Sequence, residues 1–161
     1  MISPLLIRAE QPTDAPAIAE VTRRAFDRTG GEEVGMIADA RASARFSPEL
    51  SLVAVLGDQV VGHALLHPAP HPGMLVLGPI SVLPELQGRG FGSALIRRGL
   101  DVAREQGARG VVLVGHPAYY PRFGFRPARD FGMTPEWDEA MVLPLHREDV
   151  LLDWKGLSVP H

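Results

Sequence analysis

Three glycines at alternate positions, Gly88, Gly90 and Gly92, stand between an apolar run ending at Val82 and an amphipathic segment that reaches about Gln106. At about 100° per residue, Phe91, Leu95, Ile96, Gly99, Leu100, Val102 and Ala103 fill one half-turn, and Ser93, Arg97, Arg98, Asp101, Arg104 and Glu105 fill the other. That is a helix with one buried face. Glycines ahead of such a helix remove the Cβ atoms that would block close approach, and its first-turn N–H groups have no intrahelical acceptor. Together with the positive end of the helix dipole, they suit a phosphate or a diphosphate. Gly110–Val114, after the helix, is almost wholly apolar, as a buried strand of a parallel or mixed sheet should be.

The rest of the chain reads as alternating short elements. Leu5–Ala9 is a strand, and Thr13-Asp14 opens a helix with Ile18, Val21, Ala25 and Phe26 at helical spacing. A second helix is expected from Glu32 to about Ala44, acidic at its start and carrying Arg41 and Arg45 near its end. Leu50–Leu56 and Gln59–Leu66 form an antiparallel hairpin about Gly57-Asp58. Met74–Val82 is a further strand with a bend at Gly78-Pro79, Ala118–Phe123 a short helix, and Ala140–Leu145 a last strand. The fold class is therefore mixed α/β: a single central, mixed, mostly antiparallel sheet flanked by helices.

At 161 residues one core suffices, so residues 1–161 are expected to form one domain, with the segment from about 126 the least constrained. Zero cysteines remove disulfides, thiol nucleophiles and thiolate metal sites. A net charge of −3 supplies no general field for nucleic acid or an anionic membrane, and neither is expected as a partner. No apolar run has the length of a spanning helix, and Met1–Arg8 lacks signal-peptide form, so a cytoplasmic location is expected. His63 and His67 share one strand and its exit without carboxylate company, so no metal is expected.

Two common phosphate binders fit the glycine turn poorly. A Walker loop places Lys and then Ser or Thr after its last glycine, whereas Phe91 and Ser93 flank Gly92 here. A dinucleotide fingerprint belongs to the first βα unit and needs glycine where Ser93 stands.

Gln87-x-x-Gly90-x-Gly92 resembles the acetyl-CoA motif of the GNAT superfamily of N-acetyltransferases, and Leu77–Glu85 is similar to that family's central strand and the turn behind it. Tyr120-Pro121-Arg122-Phe123-Gly124-Phe125 resembles its tyrosine-x-x-x-Gly-Phe element, and Ala118–Phe125 is especially like a small bacterial subgroup. The resemblance runs from about Leu5 to Phe125. It implies a GNAT-like fold and acetyl-CoA as cosubstrate. Backbone groups of Ile80, Ser81 and Val82 would hold the pantetheine arm, with the Val82 N–H near the thioester oxygen. Gln87, Gly88, Arg89, Gly90, Phe91, Gly92 and Ser93 would cradle the diphosphate, and the Arg89 guanidinium could pair with a phosphate.

Acetyl transfer to an amine needs a neutral nucleophile, a polarised carbonyl and a protonated leaving group. Tyr120 is the candidate acid for the departing thiolate, because a phenol of pKa about 10 stays protonated at pH 7. Candidate bases are Glu85, His63, His67 and His116. Gly115-His116-Pro117 departs from the family pattern, in which an asparagine often precedes the short helix. The expected reaction is acetylation of a primary amine, on a small molecule or a protein, by direct attack on the thioester. The alternative is a non-catalytic CoA-binding or sensing module, and oligomeric state, including a homodimer, is left open.

Overall fold

The computed structural model describes residues 4–29, 31–132 and 140–146. Seven strands, β1 (Leu5–Ala9), β2 (Ser51–Leu56), β3 (Gln59–Pro68), β4 (Met74–Val82), β5 (Gly110–Val114), β6 (Arg126–Pro127) and β7 (Ala140–Pro144), join in the order β1-β2-β3-β4-β5-β7-β6. The pairs β1–β2, β2–β3, β5–β7 and β6–β7 are antiparallel, while β4–β5 is parallel. The helices are α1 (Ala15–Ala25), α2 (Glu32–Ala42) and α3 (Phe91–Glu105). This is the mixed, mostly antiparallel sheet with helices that the sequence implies. The chain divides into two compact units, Met1–His67 with Gly78–Val102, and Pro68–Leu77 with Ala103–His161.

In the first unit a 3-10 turn, Pro12–Asp14, leads into α1. The Gln11 amide donates to Asp14 Oδ2 at 2.7 Å, and Arg8 Nη1 donates to the same oxygen at 2.7 Å. The Arg8 hydrogen bond holds the Asp14 carboxyl below its usual range against the opposing pull of burial. Buried Ile18, Val21 and Thr22 then face the interior. The β2–β3 hairpin closes between Leu56 and Gln59, with Gly57 at φ +63°, a backbone region that β-carbon-bearing residues rarely enter.

Helix α3 buries Leu95, Ile96, Leu100, Val102 and Ala103 and leaves Arg97, Arg98, Asp101 and Arg104 exposed. It lies close against β3: a Cβ at Gly99 would stand 2.7 Å from Leu66 Cδ1, and one at Gly62 only 3.1 Å from Leu95 Cδ1. Leu95 joins Val21, Leu52, Ala54, Val61, Ala64 and Leu83 in one cluster of this unit.

The second unit is built on β5, whose Val111, Val112 and Leu113 are buried. Val112 packs with Ala69, Met74, Ala128, Ala140 and Val142. The helix expected over Ala118–Phe123 is a 3-10 turn of four residues, Tyr120–Phe123. Pro121 has no N–H to return to the carbonyl four residues back, and Gly124 at φ +99° turns the chain out directly after Phe123. The sequence reading also missed β6. Its two residues, paired Arg126 with Val142 and Pro127 with Met141, are too few to carry a period. The expected tail beyond His146 lies outside the described residues.

Candidate active site

Strand β4 ends in the first unit with Ile80 and Val82 half-buried and Ser81 buried. Alternation along the strand sends the Ser81 side chain inward, where its hydroxyl donates to Thr22 Oγ1 at 3.3 Å. Thr22 in turn donates to the Ile18 carbonyl at 2.7 Å. Ser81 therefore offers a ligand only its backbone, and Thr22, with no motif to mark it, is what anchors that side chain. After Val82 the chain is fastened back to β3 by the Leu83 amide, which donates to the Val61 carbonyl at 2.9 Å.

Gln87 opens the loop by folding back, its Nε2 donating to the Val82 carbonyl at 3.0 Å. Its side chain thus pins the strand end to the loop, a role that the motif spacing alone does not specify. Gly88 and Gly90 have φ of +80° and +87°, and a Cβ built on either would meet nothing within 4 Å. Their glycine character serves backbone conformation and an open approach, with no packing demand behind it. Among the described residues, the amides of Gly88, Arg89, Gly90, Phe91 and Gly92 meet no protein acceptor, while the Ala94 amide donates to the Gly90 carbonyl at 3.0 Å. Five consecutive donors thus stand at the positive end of a fifteen-residue helix, an arrangement that suits an anion. Arg89 is exposed beside them.

Tyr120 belongs to the second unit. Its half-buried ring stands edge-on to Tyr119 at 5.1 Å and to Phe125 at 6.0 Å between centroids, and tilted against Phe123 at 6.5 Å. Burial first, and Tyr119 second, push its phenol above the ordinary value. Arg122 lies over the Tyr119 ring at 4.4 Å and donates to the Tyr119 carbonyl at 2.9 Å. Tyr119 is thereby held as a packing residue.

The structure weighs differently on the four candidate bases. Glu85 is exposed but accepts from Arg24 Nη2 at 2.8 Å, and hydrogen bonds from its own amide and from Arg24 lower its basicity. His116 is exposed, yet its Nδ1 accepts from the Ala118 amide at 3.2 Å, so the neutral ring carries its proton on Nε2 and has no bare nitrogen left. His67 is half-buried at the exit of β3.

His63 is fully buried within a polar row that the sequence did not announce. Arg41 of α2 donates to Glu10 through Nε at 2.9 Å and Nη2 at 3.0 Å, and the Ser51 hydroxyl donates to Glu10 Oε1. With its hydrogen given to Glu10, Ser51 Oγ accepts from His63 Nε2 at 2.8 Å, which leaves His63 Nδ1 as a bare acceptor without a partner. Burial pushes Glu10 up, but the hydrogen bonds from Arg41 and Ser51 outweigh it and hold the carboxylate ionised. Burial also pushes His63 down to about 4, against the attraction of Glu10. Ser, His and Glu in a row suggest a nucleophile relay, yet here the carboxylate touches the serine and the serine has no exposed surface. The row joins α2 to β1, β2 and β3.

Among the described residues no group of three or more His, Asp or Glu is placed to hold a metal ion, and no helix is long and apolar enough to cross a membrane.

The acetyltransferase (GNAT) family model matches residues 16–125, more than half of the chain and all of the loop and Tyr120. The chain belongs to the GNAT family of acetyltransferases. Among its relatives is YhbS of Escherichia coli K12, named an uncharacterized N-acetyltransferase, 33% identical across 98% of this chain and 96% of that protein. YjhQ of the same strain, likewise named an uncharacterized N-acetyltransferase, is 39% identical over 121 residues, 71% of this chain and 66% of the relative. Two solved structures share the fold. A GNAT acetyltransferase from Brucella melitensis in complex with acetyl-CoA superposes with TM-score 0.78 at 38% identity over 90% of each chain. E. coli YhbS in complex with CoA superposes with TM-score 0.86 at 30% identity, covering 97% of this chain and 88% of that one. This GNAT chain is thus an acetyltransferase by family and by fold.

Proposed function

We propose that the protein transfers the acetyl group of acetyl-CoA to a primary amine, on a small molecule or a protein side chain, by direct attack of the amine on the thioester. The observation that carries this reading is the run of unclaimed amides from Gly88 to Gly92, shaped for a diphosphate. That relatives of this fold are solved with CoA and acetyl-CoA supports it. The loop from Gln87 to Ser93, with the Arg89 guanidinium, holds the diphosphate. Backbone groups of Ile80, Ser81 and Val82 hold the pantetheine, and the Val82 N–H polarises the thioester carbonyl.

The amine must be neutral to attack, which for a lysine-like amine at pH 7 costs about 4.6 kcal/mol. Attack at the carbonyl carbon forms the C–N bond and pushes the electron pair onto the oxygen. Its return breaks the C–S bond, and the nitrogen proton is lost to solvent. Tyr120 gives the phenolic proton to sulfur, and its phenolate takes a proton back from solvent in place of the one lost from nitrogen. Its raised pKa keeps that proton in place through neutral and mildly alkaline pH, and the free thiol, with pKa near about 8.5, leaves readily.

Two experiments test this. Calorimetric titration with CoA should show one-to-one binding, and absence of binding removes the reading. Thiol release from acetyl-CoA against a panel of amines should show turnover that Tyr120→Phe lowers by about 10²-fold, at the low end for a general acid because a thiolate is already a good leaving group. An unchanged rate removes Tyr120 from the mechanism. A second reading, a coenzyme-binding module without turnover, draws on the engagement of Glu85, His63 and His116 by other groups. Binding without thiol release across peptides, polyamines and small amines would favour it.

A further inference from the structure

We infer that Gly115 is a positioning residue for Tyr120, its missing side chain being the seat against which the phenol ring is set. Gly115 follows β5 directly, and an ideal Cβ built on it would stand 2.5 Å from Tyr120 Cε2 and 3.3 Å from both Cδ2 and Cζ. Carbon atoms rest at about 3.5–4.0 Å, so even alanine forces the ring aside by about 1 Å. The backbone asks nothing of glycine here: Gly115 is absent from the positive-φ glycines, which in this stretch include Gly124. Its need is steric and is directed at one ring.

Other sides of that ring are taken as well. Phe125, buried in the second unit, meets it edge-on, and Tyr119 and Phe123 stand on further sides. Tyr120 can therefore yield only toward its open side, and a β-carbon at 115 must either rotate the ring off its present rotamer or lift the 3-10 turn that carries it. A displacement of about 1 Å at a proton donor is enough to cost on the order of 10²-fold in turnover while leaving coenzyme affinity alone.

The catalytic part of this inference rests on the reading of Tyr120 as the acid; the steric part does not, and the test separates them. The chain has two tyrosines, so in a Tyr119→Phe background the phenol of Tyr120 alone is followed by ultraviolet absorbance during alkaline titration. Adding Gly115→Ala should bring that titration down toward the ordinary tyrosine value, as the ring leaves its buried seat; an unmoved titration overturns the proposal. A stability cycle covers the case of a poorly folding variant. Gly115→Ala should lower the melting temperature of the wild type but leave that of Tyr120→Ala unchanged, and an equal loss in both backgrounds overturns the proposal. In turnover, Gly115→Ala should reduce kcat by about 10–10²-fold with KM for acetyl-CoA within about twofold, and should add less than about twofold to Tyr120→Phe. Equal kcat losses in both backgrounds would overturn the positioning role. If Tyr120→Phe alone leaves kcat unchanged, the acid assignment falls while the titration and stability results still decide the seat.

Discussion

The Gln87–Ser93 loop and the Glu10–Arg41–Ser51–His63 row are both in the first unit, and they divide the usual signs of function between them. The row holds a serine, a histidine and a carboxylate in hydrogen-bond contact, the residue types that chemistry most often recruits, and its serine and histidine lie out of reach of solvent, with His63 Nδ1 alone left unpartnered in the row among the described residues. The loop offers little side-chain chemistry beyond Arg89, and among the described residues its amides from Gly88 to Gly92 meet no protein acceptor. Satisfied polar groups hold a fold together, whereas unsatisfied ones at an open surface wait for a ligand. Partnership, more than residue type, separates the two.

Breaking the loop should produce the larger effect. Gly90→Asp places an L residue at φ +87° and a carboxylate among the amides proposed to hold the diphosphate, and the loss of two charge-assisted hydrogen bonds should raise the Kd for CoA by about 10³-fold in calorimetry. Because its Cβ enters open space, the melting temperature should fall far less than that loss of affinity suggests. Retained affinity would show that the loop does not hold the coenzyme.

Breaking the row should do the reverse. Glu10→Ala strands the Arg41 guanidinium and the Ser51 hydroxyl, and chemical denaturation should show a loss of about 3 kcal/mol with CoA affinity unchanged. A fall in affinity without a fall in stability would make the row part of the site.

Acidification sharpens the same contrast by a smaller amount. His63 is neutral when folded, with its pKa depressed to about 4, and binds a proton more readily when unfolded, near 6.5. Its contribution is therefore complete above pH 6.5 and is lost as pH falls toward 4, about 2 kcal/mol of it by pH 5. His63→Gln should flatten that limb of the stability profile, and an unchanged slope would point to another titrating group. The smallest effect belongs to Glu85→Gln. Its carboxylate is held by Arg24 at the surface, so turnover and CoA affinity should stay within about twofold. A large loss of turnover would restore Glu85 as the base.

The same distinction governs what could be read before the structure. Helix α3, the hairpin about Gly57 and the strands Met74–Val82 and Gly110–Val114 were legible because periodicity and turn chemistry are local. The glycine loop ahead of α3 was legible for the same reason, since three spaced glycines and a helix start lie within a few residues of one another. The 3-10 turn at Tyr120 read as helix because the local pattern did not weigh the missing amide of Pro121. Glu10 and Arg41 meet across 31 positions of chain, and Gly115 needs the folded position of the Tyr120 ring to show its purpose. Neither has a signature within one element.

The close seating of α3 against β3, allowed by Gly62 and Gly99, bears on how the coenzyme is met. A helix braced from behind keeps its leading turn aligned before anything arrives, so capture spends little on ordering the protein and should proceed in a single kinetic phase. Under the proposed function, selectivity among acyl donors then has to come from elsewhere, because a fixed cradle would greet every CoA thioester alike.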